Sequence, residues 1–360
     1  MSSRVLIDLR MVSGRLHGIA RYALELARVL PSLATDLTFE GLGPPGGLPE
    51  LGPLAPAFPV HRAPAAFLSP LEQPALAAVL ARLRPSLFHA TSFSMPLFWR
   101  GPLVATLHDA AHLVRSADFG PLTALYYRFV VRPTVRRARA LLTVSEFARA
   151  ELSSRLGVPS SRWTVVPPGV DALFRPPTAE ERLQLRARLA LPPRYLLAVG
   201  NPKPHKNLAL LARIATRLPV PLVLLAGEGV SRVFPTPTRV LPEVDEDQLP
   251  ALYGGAEALL LPSLHEGFGL PALEAMATGT PVLAARAGSL PEVTGGAAEL
   301  LDPEDPEAWV RATNALVRDP RLRSRWVSAG RERARAFTWE RCARQTLSVY
   351  RAALGSAAAG

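Results

Sequence analysis

The sequence predicts an α/β protein built on parallel sheets, and three observations support this class. Short, largely aliphatic runs recur along the 360 residues, a segment with helical periodicity follows each run, and apolar residues make up 48% of the chain. Strands that alternate with helices of ten or more residues form parallel sheets buried on both faces. The predicted strands are Val5–Leu9, Ser86–His89, Leu103–Leu107, Ala140–Val144, Tyr195–Val199, Pro221–Ala226, Ala258–Leu261 and Thr280–Ala284.

The strands fall into two groups, which predicts two domains. A proline-rich stretch without periodicity, Val165–Pro177, separates the groups, and domains of about 100–200 residues suit this chain length. We predict an N-terminal domain over residues 1–176, a second domain over 177–338, and a helix over 339–360 that packs back toward the N-terminal domain. A second proline- and glycine-rich stretch, Gly41–Pro70, predicts long loops, where specificity is often carried.

Composition excludes several classes of protein. The longest apolar runs fall short of the roughly 18 residues that a membrane span needs. Arg4, Asp8 and Arg10 interrupt the start of the chain, which disfavours a signal peptide. The single cysteine, Cys342, can form neither an intrachain disulfide nor a thiolate metal site. We expect a cytoplasmic protein, with peripheral attachment to the inner face of the membrane as an alternative.

The net charge of +11 favours an anionic partner such as a nucleotide, a phospholipid surface or a polyprenyl phosphate. Composition bias alone is the alternative, because 39 of the 41 basic residues are arginine. An arginine run lies in the first domain, at Arg128, Arg132, Arg136, Arg137 and Arg139. Only one aromatic residue, Phe129, interrupts it, and it belongs to no recognised nucleic-acid module, so we expect no nucleic acid. An anionic membrane surface is the alternative partner for this run.

In the first domain, candidate residues follow the strand ends, where parallel sheets collect ligands. Gly18 begins the first helix and would let a phosphate or sugar approach the backbone, or else only makes a tight turn. His108 and Asp109 follow the strand Leu103–Leu107. The imidazole could bind a substrate hydroxyl while Asp109 sets its tautomer, or it could be a structural hydrogen-bonding group. Ser145 is predicted to cap the helix that follows it.

The second domain opens with a loop that holds both lysines of the chain, Lys203 and Lys206. The chain uses arginine at every other basic position, so the two lysines indicate a chemical role that needs lysine. The alternative is that they fall by chance on a loop exposed to solvent. A compact ammonium beside a helix start suits a phosphate. Asp245–Asp247 resembles a metal-binding motif, but it precedes a helix and is interpreted as capping and first-turn acids. We therefore expect no metal.

The densest pattern is Leu261–Ala285, where a strand leads into a glycine-bearing loop and a helix. Pro271 suits the first helical position, Glu274 is predicted in the first turn, and Gly279 ends the helix. The amides of residues 269–272 would point at an anion. Glu266, eight residues before Glu274, would join it in accepting hydrogen bonds from hydroxyls. Alternatively, Glu266 is only a carboxylate on a loop, and Glu274 is only an acid near the helix start that complements the helix dipole.

Taken in order, these motifs resemble the family 4 glycosyltransferases (glycosyl transferases group 1), which are retaining enzymes of the GT-B fold. The resemblance covers almost the whole chain, and its most specific part is Glu266–Val282. It implies two Rossmann-like domains whose parallel sheets face across a cleft. The matching segments are Gly18–Tyr22, Leu107–Asp109, Val144–Phe147, Val166–Asp171, Gly200–Asn207, His265–Glu274 and Phe337–Trp339.

The resemblance also implies roles in the second domain. Glu274 would bind the ribose hydroxyls, Glu266 would contact the transferred sugar, and Lys206 would bind the diphosphate. Many members carry arginine where this chain has His205, which is a weaker phosphate partner when neutral. His205 is a candidate binding residue nevertheless. Backbone amides would lie at the sugar and diphosphate, namely those of Gly267, Phe268, Gly269 and Leu270.

From the other domain, the resemblance brings Gly18 to the donor and His108 to the sugar near the reacting carbon, with Asp109 as a further binding candidate. The candidate catalytic residues are thus Lys206, Glu266 and His108.

The implied reaction transfers a glycosyl group from a nucleotide-sugar donor to an acceptor hydroxyl, with retained configuration and without a metal or other cofactor. We expect a saccharide or a polyprenyl- or lipid-linked acceptor in cell-envelope polysaccharide or glycolipid synthesis. The likeness around Gly18–Tyr22 favours mannose. The alternative is a catalytically silent GT-B scaffold or binding protein, against which the intact Lys206, Glu266 and Glu274 argue.

Overall fold

Two parallel sheets organise the chain, one in each of two units. The computed structural model describes residues 3–12, 18–48, 58–114, 121–227, 230 and 234–355. One unit comprises Met1–Gly169 with Trp339–Gly360, and the other comprises Val170–Thr338. The division at Gly169 lies within the proline-rich stretch Val165–Pro177 and seven residues before the predicted boundary at residue 176.

The first sheet has seven strands, and all neighbours in it run parallel. They are β1 (Ser3–Asp8), β2 (Leu37–Gly43), β3 (Val60–Arg62), β4 (Leu87–Ala90), β5 (Leu103–Thr106), β6 (Ala140–Thr143) and β7 (Trp163–Val165). Their order is β3-β2-β1-β4-β5-β6-β7. The strands β4 and β5 are buried along their whole length, which explains why their sequences are apolar except at His89 and Thr106.

The helices of the first unit are α1 (Gly18–Leu33), α2 (Glu72–Leu83), α3 (Ala111–Val114), α4 (Pro121–Tyr126), α5 (Arg132–Arg137), α6 (Glu146–Leu156) and α14 (Trp339–Gly355). A π-helical turn, Tyr127–Val131, joins α4 to α5. The C-terminal helix α14 packs against α1, and its Cys342 and Tyr350 are fully buried in the same core as Tyr22 of α1. The predicted cap is confirmed, because Ser145 Oγ accepts a hydrogen bond from the Ala148 amide at 3.0 Å.

The second sheet is also parallel and has six strands in the order β10-β9-β8-β11-β12-β13. They are β8 (Leu196–Val199), β9 (Leu222–Leu225), β10 (Arg239–Leu241), β11 (Leu259–Leu261), β12 (Val282–Ala285) and β13 (Glu299–Leu301). The helices of this unit are α7 (Ala179–Leu189), α8 (Leu208–Ile214), α9 (Leu249–Gly254), α10 (Leu270–Thr278), α11 (Leu290–Thr294), α12 (Pro306–Arg318) and α13 (Pro320–Arg335).

The sequence predicted eight strands, and each has a counterpart in the structure. Five strands were missed: β2, β3, β7, β10 and β13. The prediction of loops throughout Gly41–Pro70 is wrong for residues 41–43 and 60–62, which form sheet, while residues 49–57 lie outside the described residues. Four of the missed strands have three residues, too few to establish a period. In β2, Thr38, Glu40 and two glycines interrupt the apolar run.

Both sheets follow the Rossmann order, in which successive connections reverse direction at one point in the sheet. That point lies between β1 and β4 in the first unit and between β8 and β11 in the second. Ligands of open α/β sheets bind beyond the carboxyl ends of the strands at such a switch point. Within the described residues, no helix is both long enough and apolar enough to cross a membrane.

Candidate active site

The loops that follow β8 and β11 meet at the switch point of the second sheet. The Leu264 amide donates to the His205 carbonyl at 2.8 Å. Asn207 Nδ2 donates to the Pro262 carbonyl at 3.2 Å and to the Pro303 carbonyl at 3.0 Å. These bonds fasten the lysine-bearing loop to the glycine-bearing loop, although 60 residues separate Lys206 from Glu266 in sequence.

Lys206 and Glu266 form an ion pair across these two loops. Lys206 Nζ donates to Glu266 Oε1 at 2.7 Å, and the side chains are 17% and 10% exposed. Reduced contact with water strengthens the attraction and also makes each charge depend on its partner. The sequence assigned these two residues to one site, and the structure brings them into direct contact.

His205 precedes this lysine and is uncharged at neutral pH. Burial, and then the neighbouring Lys206 charge, lower the pKa of His205 to about 4. Its Nδ1 atom is buried and makes no hydrogen bond within the described part of the chain. His205 therefore does not supply a second cation beside Lys206. It can still offer a neutral hydrogen-bonding group.

Glu274 lies on α10 and is 8% exposed. The prediction of a first-turn position is wrong: α10 begins at Leu270, so Glu274 is its fifth residue, and Pro271 occupies the second position rather than the first. Tyr253 of α9 donates its hydroxyl to Glu274 Oε2 at 2.9 Å. This bond orients a buried carboxylate that the sequence expected to face substrate.

The glycine-bearing loop turns sharply into α10. Gly269 has φ +103, a backbone conformation that favours glycine, and a Cβ there would also press on the Leu290 side chain at 2.8 Å from its Cδ2 atom. The Phe268 ring is 8% exposed and meets Phe337 edge-on at 5.7 Å between centroids. The Ala272 amide donates to the Gly269 carbonyl at 3.0 Å. The expected set of anion-facing amides, residues 269–272, was therefore wrong at Ala272, and also at Pro271, which has no backbone N–H to donate.

Gly288 and Ser289, which follow β12, support this loop, and the sequence did not predict them. Ser289 Oγ donates to the carbonyls of Glu266 at 3.0 Å and Phe268 at 2.7 Å. Gly288 has φ +59 and lies so close to the Glu266 backbone that any Cβ would collide with it. The strand Thr280–Ala284 was predicted, and residues that follow the carboxyl end of a parallel strand lie at the ligand-binding edge of the sheet. That position is the signal by which Gly288 and Ser289 could have been identified.

The first unit holds the other candidates at its strand ends. His108 Nε2 lies 3.0 Å from the Thr91 carbonyl, which can only accept, so this nitrogen carries the proton. Asp109 Oδ1 instead accepts from the Ala111 amide at 2.9 Å, at the start of α3. The Tyr22 ring meets the His108 ring edge-on at 4.8 Å between centroids. Gly18 begins α1 and is exposed.

Two Rossmann-like units, one with a lysine, two acids and a glycine loop at its switch point, define a GT-B glycosyltransferase. The chain belongs to glycosyltransferase family 4. Its residues 16–172 match the model described as Glycosyltransferase Family 4, and residues 181–333 match Glycosyl transferases group 1. The predicted family, fold class and sugar-transfer activity are thereby confirmed.

Individual proteins give the same assignment. The MMP alpha-(1->4)-mannosyltransferase of Mycolicibacterium hassiacum is 33% identical over 280 residues, which cover 72% of this chain and 67% of that protein. The O-antigen chain mannosyltransferase B of Escherichia coli is 28% identical over 371 residues, covering 93% and 96%.

Solved structures agree in fold. Sucrose-phosphate synthase from Thermosynechococcus elongatus superposes with a TM-score of 0.82 at 20% identity, covering 98% of this chain and 100% of that one. Anabaena HepE, solved in complex with UDP and glucose, gives 0.78 at 19% identity, covering 97% and 100%.

Proposed function

We propose that this glycosyltransferase moves a hexose, with mannose as the first candidate, from a nucleoside-diphosphate sugar with retention of configuration. The observation that carries the proposal is the Lys206–Glu266 pair, joined at 2.7 Å beside the glycine loop at the sheet switch point. A cation there suits a diphosphate, and acids beside it suit the hydroxyls of sugars. Two mannosyltransferases among the relatives support mannose.

The reaction breaks the bond between the anomeric carbon and a diphosphate oxygen, and the electron pair stays on the leaving diphosphate. The acceptor oxygen bonds to the same face of the sugar, and its proton passes to the leaving phosphate oxygen. The Lys206 ammonium stabilises the developing charge, a kind of contact worth about 3–4 kcal/mol in well-studied oxyanion sites. Because this ammonium supplies the cation, we propose that no metal ion takes part.

The carboxylates then hold the two ends of the donor. Glu274, oriented by Tyr253, accepts from the ribose hydroxyls. Glu266 exchanges the Lys206 ammonium for a hydroxyl of the transferred sugar. In the first unit, the roles of Gly18, His108 and Asp109 stay predictions.

For the acceptor, we propose a saccharide or a lipid-linked saccharide used at the cytoplasmic face of the membrane. The relative named as an O-antigen chain mannosyltransferase, which the alignment covers over 96% of its length, supports a growing cell-envelope saccharide. An acceptor of this type holds the enzyme close to a lipid surface.

A donor screen tests the proposal. Hydrolysis and thermal stabilisation are measured with GDP-mannose, UDP-glucose and other nucleotide sugars, first for the natural chain. We expect Lys206→Ala to lower turnover at least 100-fold, in line with the loss of one charge-stabilising contact. Lys203→Ala is the matched control, because that side chain is exposed in the same loop. Stabilisation by a donor without any turnover would instead favour a silent binding protein.

A further inference from the structure

Exposed apolar side chains concentrate in one region of the first unit. Seven large hydrophobic residues are exposed in the described part of the chain, and six of them lie on α4 and its surroundings. Leu122, Leu125 and Phe129 are 79%, 49% and 59% exposed and share one helical face through spacings of three and four residues. The remaining three in this region are Leu68, Leu71 and Phe98.

Partly buried hydrogen bonds hold together the segments that carry these six side chains. Glu72 accepts from the Leu68 amide at 3.2 Å and from the Tyr126 hydroxyl at 3.1 Å. Gln73 donates to the same hydroxyl at 3.3 Å and accepts from the Leu97 amide at 2.8 Å. Leu71, Phe98 and Leu125 directly neighbour these partners in sequence, and Leu122 and Phe129 lie four and three residues from Tyr126. The hydrogen bonds therefore hold the segments that carry the six side chains in one region of the first unit.

Exposed arginines extend this region along the π-helical turn and α5 and onto the adjoining segments. They are Arg128, Arg132, Arg136, Arg139, Arg155 and Arg162. Arg132 Nη2 donates to the Arg155 carbonyl at 3.0 Å, and Arg162 Nη1 donates to the Arg136 carbonyl at 2.9 Å, which links them into one group. We call the six apolar residues and these six arginines the α4–α5 surface.

These arginines lack acidic partners. No Asp or Glu occurs between residues 121 and 145, and none of the six arginines forms an ion pair with an acid of the described ranges. Exposed arginines elsewhere do pair, as in Arg217–Glu307, Arg344–Glu340 and Arg351–Asp36. The positive charge of the α4–α5 surface is therefore available to an external anion.

We propose that the α4–α5 surface docks the enzyme on an anionic lipid bilayer. Leu122, Leu125 and Phe129 enter the boundary between headgroups and acyl chains, and the arginines bind lipid phosphates. A second copy of the chain fits poorly, because a symmetric contact would oppose arginine to arginine without acids. Nucleic acid would neutralise the charge but leave the apolar face in water. The proposal deepens the lipid-linked acceptor proposed above and rests on it for its biological purpose.

Vesicle co-sedimentation tests the surface without donor or acceptor. The full chain is mixed with two kinds of vesicle, one of pure phosphatidylcholine and one that also contains about a third phosphatidylglycerol, an anionic lipid. We expect binding only to the anionic vesicles and its loss at high salt. The charge variant combines Arg128→Gln, Arg132→Gln and Arg136→Gln. At about fivefold for each arginine near the surface, it should bind roughly 100-fold more weakly.

The matched control removes the same charge from paired arginines, with Arg217→Gln, Arg344→Gln and Arg351→Gln, and we expect less than a threefold change. A second variant, Leu122→Ser with Leu125→Ser and Phe129→Ser, should also release the vesicles, whereas Leu183→Ser, at the seventh exposed site, should not. Equal losses in the control and the charge variant, or no binding to anionic vesicles, would overturn the proposal.

Two further outcomes would assign the surface to another partner. Concentration-dependent dimers that the serine variant abolishes, or nucleic-acid binding stronger than vesicle binding, would each replace the bilayer. Unchanged melting temperatures would show that the variants fold. Vesicle binding without sugar transfer would contradict the proposed function but support the α4–α5 surface as a membrane-docking site. Sugar transfer without vesicle binding would support the proposed function and contradict the docking site.

Discussion

Replacing Gly288 with alanine would displace the loop that carries Glu266. A Cβ at this position would lie 2.7 Å from the Glu266 amide nitrogen and 2.8 Å from its carbonyl oxygen. Ordinary van der Waals contact begins at 3.4 Å, so the Glu266 backbone must retreat by about 0.7 Å. Both colliding atoms belong to the backbone, and Ser289 holds the same carbonyl through its hydroxyl and its amide. No flexible side chain can absorb the shift.

The displacement sets the expected size of the effect. A misplacement of about 1 Å at a reacting site costs on the order of 100-fold in rate. For a displacement of about 0.7 Å, we expect Gly288→Ala to lower kcat/KM for donor hydrolysis by about 10- to 100-fold. Separately, alanine at φ +59 destabilises the fold by about 1–2 kcal/mol, because the left-handed region crowds a Cβ against the backbone.

A second glycine separates these two effects. Gly296 has φ +82 and nothing within 4 Å of the Cβ position, so Gly296→Ala introduces the strain without the collision. Thermal unfolding and steady-state hydrolysis of the best donor are measured for both variants. Both should melt earlier than the natural chain, and only Gly288→Ala should lose kcat/KM. If the two folded variants keep the same kcat/KM, Gly288 does not position Glu266.

Two further predictions concern the same unit. Tyr253→Phe keeps the ring and removes the hydrogen bond to the buried Glu274 carboxylate. Because hydrogen bonds to charged groups contribute about 1.5–3 kcal/mol, the donor KM should rise about 10- to 100-fold. An unchanged KM would contradict the role assigned to Tyr253. Because burial and the Lys206 charge lower the pKa of His205 from 6.5 to about 4, the unfolded state takes up this proton first as the pH falls. Stability from this group is thus present above pH 6.5 and declines toward pH 4, by on the order of 2 kcal/mol. Urea unfolding of His205→Gln should show a shallower loss across that window, and an identical pH dependence would refute this cause.

The fold and half of the site could be predicted because their signals are local. Buried parallel strands leave continuous apolar runs, and residues that follow such runs lie at the ligand-binding edge. This reasoning found Lys206 and Glu266. It could not predict their contact at 2.7 Å, because that depends on β8 lying beside β11, a pairing between strands far apart in sequence.

Support for the site was harder to predict, since it comes from contacts between elements. Tyr253 occurs in an ordinary helical pattern, and only the packing of α9 on α10 brings its hydroxyl to Glu274. The exposed stripe Leu122, Leu125 and Phe129 presents the opposite problem. Its spacing is that of a helix packed on a core, and the sequence alone does not say that this face points to solvent.

The ion pair with Glu266 gives a physical reason for lysine at position 206 in a chain where 39 of the 41 basic residues are arginine. A guanidinium would grip the carboxylate with two parallel hydrogen bonds, whereas an ammonium is a point charge with three rotatable donors on a flexible stem. Before the donor arrives, the pair keeps both mostly buried charges satisfied. In the proposed binding mode, the diphosphate attracts the ammonium, and Glu266 then needs a new partner, which a hydroxyl of the sugar on the same donor can supply. Binding of the phosphate and of the sugar are then coupled through one exchange, which favours the intact donor over the free nucleotide.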